Sequence, residues 1–214
     1  MTARDGERVA DVLHPTSDVA RQMIDATVAI IDAEGEAAVR VKDIVEAAGV
    51  QVPVLYRHFG SREGLVQAAQ VERLVRDIDA QLDEVTQVIE GINTIEDFRL
   101  VVDAILASLA DPERKKVRFQ RISVLGSAYG RPALVAEVAR LQAMYLESTA
   151  ALLRRPEKLG WLAPGLNVDA FASWFAGQML GRVMIEFGEP IVEEAAYDAI
   201  VNDAVTHILF GKDA

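Results

Sequence analysis

The three histidines of this 214-residue chain, His14, His58 and His207, fall in three separate segments. No H-E-x-x-H, G-x-S-x-G or phosphate-cradling glycine loop accompanies them. The chain has no cysteine, which removes disulfides, thiolate nucleophiles and thiolate-held metal. Carboxylates are numerous but scattered singly over helix faces, so neither catalysis nor a resident metal or cofactor is expected. What remains is a group of hydrogen-bond donors in one short stretch: Arg40, Lys42, Gln51, Tyr56, Arg57, His58 and Arg62. Donors of this kind suit phosphate oxygens. Glutamine and arginine also match the acceptor edges that adenine and guanine present in the major groove of DNA.

The elements that must position these donors lie between Gly35 and Leu65. A helix over Val41 to Ala48 sets Val41, Ile44, Val45 and Ala48 on one face, with Lys42, Asp43 and Glu46 on the other. Gly49 stops it, because glycine enters the left-handed region at no steric cost and lets the chain turn sharply at Val50. A second helix begins near Pro53, where a missing N–H costs nothing, and runs to Phe59 before Gly60. Leu55 and Phe59 read as core. Gln51, Val52, Val54 and Arg57 are the side chains directed at the groove, the valines toward a thymine methyl and Arg57 toward guanine or phosphate. Tyr56 packs its ring on the small core while its hydroxyl reaches a phosphate, and His58 stays open between a structural histidine and a phosphate donor.

The spacing G-x(7)-D-I, A-A-G-V, L-Y-x-H-F-x-S-R-E-x-L is carried by Gly35, Asp43, Ile44, Ala47 to Val50, Leu55, Tyr56, His58, Phe59, Ser61, Glu63 and Leu65. It resembles the TetR-type transcriptional regulators over about the first 65 residues. The resemblance implies an all-α chain: an N-terminal three-helix helix-turn-helix DNA-binding domain plus a C-terminal helical ligand-binding and dimerisation domain. It also implies a repressor that binds a palindromic operator as a dimer. Several positions depart from the pattern. Arg40 stands where a capping Ser or Thr is usual, Gln51 replaces a usual Ser, Val52 and Val54 replace small or hydroxyl residues, and Arg62 replaces a commoner lysine. These departures bear on which DNA is bound.

The charge balance runs against a nucleic-acid binder. The net charge is −11, and the first 66 residues hold 7 Lys/Arg against 11 Asp/Glu. Positive charge is local to the motif, so non-specific binding should be weak. A helical dimer that binds a ligand or partner and has lost specific DNA binding is the alternative reading.

In chain order, residues 1–15 are expected to form an arm containing Arg4 and Arg8, 16–65 the DNA-binding domain and 66–214 the regulatory domain. Thr16 or Ser17 caps a helix reaching Ala33. Ser61 caps a long helix with Val71, Leu74, Ile78, Leu82, Val85 and Ile89 on one face. Further helices are expected over Ile95–Leu109, Asp111–Ser127 and Ala133–Arg154, then from Asn167 to Phe187 and from Glu193 to Gly211. No leader or long apolar run is present, which points to a cytoplasmic protein with no membrane partner.

The basic run Arg114, Lys115, Lys116, Arg118, Arg121 reads as a solvated helix face, with Arg121 deep enough to hold an anion or an interhelical acid. The stretch 169–188 is apolar nearly all round, and Gly177 and Gly181 each cost about 1 kcal/mol there relative to alanine. Close approach of a second copy compensates, so Gly177, Gly181, Met184, Tyr197, Val201, Val205 and Ile208 are the expected homodimer face. By the family resemblance the C-terminal helices enclose a largely apolar small-molecule effector. Phe98, Phe119, Tyr145 and Trp174 are its expected walls, with Gln120, Arg121 and Gln178 as polar contacts.

Overall fold

The structure, a computed structural model, describes residues 13–14, 16–189 and 192–211, and the side chains at 77, 79–85 and 87 are not described. Arg4, Arg8, most of the expected arm and the Leu82 and Val85 side chains lie outside the described residues. The chain is all-α: among the described residues there is no strand. It divides into two compact units, residues 1–76 with 123–140, and 77–122 with 141–214. A single cut at residue 65 does not match this division, because three helices each contribute to both units.

Unit 1 begins before its first full helix. Leu13 is buried and His14 Nε2 lies 2.8 Å from Glu137 Oε1, so these two residues do not belong to a free arm. Helix α1 (Asp18–Glu34) starts at Ser17, whose hydroxyl accepts from Ala20 N–H, and turns Met23, Ile24, Thr27 and Ile31 inward. The buried Thr27 hydroxyl donates to Met23 O at 2.7 Å, so its polar group costs little. After a 3₁₀ turn (Glu36–Ala38) come α2 (Val41–Ala47) and α3 (Val52–Phe59). Between them Gly49 adopts φ +64°, and Val50 N–H donates to Val45 O, which closes the tight turn. Helix α4 (Arg62–Gly91) follows Ser61, whose hydroxyl accepts from Gly64 N–H at 2.9 Å. The end of α6 (Pro112–Ala128) and the start of α7 (Pro132–Lys158) complete unit 1.

Unit 2 contains the remainder of α4, α6 and α7 with α5 (Ile95–Ser108), α8 (Val168–Gly181), the short α9 (Val183–Glu186) and α10 (Glu194–Phe210). Two boundaries differ from expectation. Helix α7 runs through Pro156 to Lys158, because a proline so near the end removes a single intrahelical bond. The helix expected to reach Phe187 breaks after Gly181, at Arg182. That guanidinium is almost fully enclosed and is matched by Glu186, Glu194 and Asp198. Arg118 shares Glu186, donating from Nε to Oε2 at 2.9 Å. Burial of two arginines is sustained here by three carboxylates.

Candidate nucleic-acid interface and internal cavity

The helix-turn-helix presents one polar face. On α3, Leu55 and Phe59 are buried in a core shared with Met23, Ile44 and Leu65, while Gln51, Val52, Tyr56 and Arg57 are exposed. Arg40 and Lys42, at the start of α2, are exposed as well. Arg40 does not cap α2; its Nη1 donates to the carbonyls of Ala37 and Val39. Two expected DNA contacts are used differently. Val54 is half-buried and packs against the core, at the margin of the stripe that Leu55 and Phe59 form on α3. Arg62 donates from Nε to Val39 O at 3.0 Å and from Nη2 to Glu36 O at 2.8 Å, so its fork pins the turn before α2 to the start of α4. His58 is half-buried, its ring centroid 6.1 Å from that of Phe59.

Behind this face lies a polar network with no sequence signature. Glu36 accepts from the Ser127 hydroxyl at 2.6 Å, from Gln70 Nε2 at 3.1 Å and from both terminal nitrogens of Arg131. Arg131 also pairs with Glu63, and Gln70 accepts from Arg73, which holds Asp32. Burial alone would raise the Glu36 pKa. The hydrogen bonds from Arg131, Ser127 and Gln70 outweigh it and hold that carboxyl down to about 2. The partners of Glu36 are 34, 91 and 95 residues away along the chain, beyond the reach of any periodicity argument.

Unit 2 holds a cavity of about 160 Å³ that is partly open to solvent. Helix α5 supplies much of its wall, including Phe98, Val102 and Leu106, and Leu153, Phe171 and Val205 close it from α7, α8 and α10. Its polar side chains are Ser108, Arg114, Tyr145 and Thr149. Of the residues expected to hold an effector, Phe98 and Tyr145 line it. Phe119, Gln120, Arg121, Trp174 and Gln178 are not part of its wall. Phe119 stacks on Phe187, Trp174 packs beside Phe171, and the Arg121 guanidinium sits 4.6 Å from the centre of the Tyr145 ring. Arg114, which reads from sequence as part of a solvated face, is in the wall.

The expected dimer face divides in two. Gly177, Gly181 and Met184 are exposed, as are Ile200 and Phe187. Val201 and Val205 instead belong to their own chain's core, and Tyr197 and Ile208 pack partly against it. An apolar stripe on α10 has two sides, and spacing alone did not tell which side the chain keeps for itself.

A helix-turn-helix with an exposed donor-rich second helix, joined to an all-helical unit with an apolar cavity, defines a DNA-binding regulator. Residues 23–69 match the model for bacterial regulatory proteins of the tetR family. Over those residues, which span helix α1 to the start of α4, the chain is similar to the DNA-binding domain of these regulators. Solved structures share the fold. One, assigned as a TetR-family regulator from Rhodococcus sp., is 24% identical over 91% of this chain and 100% of its own, with a TM-score of 0.65. Another from Mesorhizobium loti is 22% identical over 89% and 94%, also at 0.65. The regulator FadR from Bacillus subtilis, solved in complex with stearoyl-CoA, is 19% identical over 90% and 98%, at 0.55. No curated protein sequence matches this chain. Among the described residues no helix is long and apolar enough to cross a membrane.

Proposed function

We propose that the protein is a cytoplasmic, ligand-responsive repressor that binds a palindromic operator as a homodimer. The observation that carries the DNA reading is the sorting of α3, with Gln51, Val52, Tyr56 and Arg57 outward and Leu55 and Phe59 buried. Gln51 is suited to adenine, Val52 to a thymine methyl and Arg57 to guanine, with Arg40, Lys42 and Tyr56 on phosphates. Dimerisation is supported by two glycines. A Cβ built on Gly177 would meet nothing within 4 Å, and one on Gly181 only the Tyr197 hydroxyl at 4.0 Å. Within its own chain neither position needs glycine, although each costs helix stability; a second helix lying close would account for both. The cavity supports a small-molecule effector, as does the stearoyl-CoA held by the Bacillus subtilis regulator. An effector that binds the DNA-incompetent arrangement better by about 1.4 kcal/mol would give roughly tenfold derepression.

Selection of duplexes from a random pool at low salt tests this reading. The expected winner is a palindrome with half-site centres roughly 34–36 Å apart, its affinity falling steeply as salt rises. Arg57→Ala is expected to relax or abolish the selection without altering the helical content. Failure of a folded dimer to enrich any duplex overturns the proposal and favours a helical dimer that has lost specific DNA binding.

A further inference from the structure

The arginines of unit 2 differ in what they hold. Arg118 and Arg182 are enclosed and matched by Glu186, Glu194 and Asp198. Arg154 pairs with Glu147 and Asp169, and Arg155 donates to Ile89 O. Arg114 is half-buried in the cavity wall, and no carboxylate among the described residues pairs with it. Among the described residues it is the single charged side chain of that wall. Asp111 is close in sequence, but its carboxylate caps α6 by accepting from Glu113 N–H at 2.8 Å.

The remaining polar groups of the wall are unequal. The Ser108 hydroxyl donates to Ile105 O and the Thr149 hydroxyl to Tyr145 O, so both have spent their proton on their own helix. They offer a ligand only weak acceptors. The Tyr145 hydroxyl makes no hydrogen bond to another described residue, and the Arg121 guanidinium lies over the ring of Tyr145. The donors open to an occupant are therefore the Arg114 fork and the Tyr145 hydroxyl, with a second cation behind the latter. A neutral apolar occupant would leave that fork to water. A carboxylate would take it in paired, charge-assisted bonds.

Size narrows the occupant further. An apolar cavity of roughly 150 Å³ accepts a single benzene, so a space of about 160 Å³ suits an apolar body of about six to eight carbons. We propose that the cavity takes an anionic amphiphile, a carboxylate held by Arg114 on a short alkyl or single-ring body that lies among Phe98, Leu106, Leu153 and Phe171. This rests on the reading of the cavity as the effector site and names the chemistry it recognises.

Calorimetric titration of the full chain with three probes of one length, octanoate, octan-1-ol and octylammonium, separates the two readings. Octanoate is expected to bind at least about tenfold more tightly than octanol, and octylammonium most weakly. Arg114→Gln should bring octanoate to the affinity of octanol while octanol is unchanged, and Arg114→Lys should restore part of the preference. Thermal transitions of both variants serve as the check on folding, and the wild-type contrast between octanoate and octanol needs no variant. Octanol binding as tightly as octanoate would overturn the anion preference while leaving the cavity as a binding site. Absence of binding by all three probes would overturn both.

Discussion

In unit 1, Met23, Ile44, Leu55 and Leu65 are shut off from solvent completely or nearly so, and a chain of ionic hydrogen bonds from Asp32 to Arg131 ties the surrounding helices together. In unit 2, Val102, Leu106, Leu153 and Phe171 are buried too but line a cavity. The same residue types fill both cores. What differs is how completely the helices close on one another. The unit that must present α3 in one geometry is tightly packed, and the unit suited to an occupant is not.

Matched truncations should expose that difference most strongly. Leu65→Ala, in the closed core, is expected to cost about 4 kcal/mol, and Leu106→Ala, in the cavity wall, about 2 kcal/mol, as read by urea denaturation. Equal losses would show that the cavity collapses when its wall is trimmed, and the contrast would fail. A smaller effect is expected from Glu36→Gln, about 1–2 kcal/mol at neutral pH after allowance for the partial exposure of that carboxylate. Because the folded-state pKa is held down to about 2, against an ordinary value of 4.5, wild-type Glu36 stabilises fully above about pH 4.5. That contribution fades as pH falls toward 2. An acid titration of stability should therefore bring wild type and variant together between these limits. A gap persisting at pH 2 would argue that the glutamine disturbs packing rather than charge. The smallest change, Val101→Phe, places an aromatic ring in the cavity and should raise the thermal midpoint by about 2–4 °C. A lowered midpoint would mean that the wall is too rigid to accept it.

The order of helices and the motif were legible because both depend on local rules. Ser17, Thr94 and Asn167 cap helices as hydroxyl and amide side chains do, and Gly35, Gly49 and Gly60 stand at positive φ where helices end. The DNA-facing set was legible in part. Spacing separated Leu55 and Phe59 from Gln51 and Arg57, but it could not assign Val54, at the margin of the buried stripe. Nor could it show that carbonyls of Glu36 and Val39 engage Arg62 from 26 and 23 residues away. The cavity was hardest to read. Aromatic side chains drew attention to Phe119 and Trp174, whereas the wall combines the aliphatic stripe of α5 with residues of α7, α8 and α10. An absence of atoms is a property of how helices meet, and no residue type announces it.

The tryptophans have a use that follows from where they stand. The chain has two, and both fall in unit 2. The Trp161 ring centroid is 6.0 Å from that of Phe98, and the Trp174 centroid is 5.9 Å from that of Phe171, each a residue of the cavity wall. The DNA-facing unit contains none. Light emitted by native tryptophan therefore reports on one half of the molecule, next to the space a ligand would fill, and is blind to the helix that meets DNA. Unlabelled protein can be followed by its own emission for the first half and by the anisotropy of a dye-labelled duplex for the second, so the order of the two events can be timed directly.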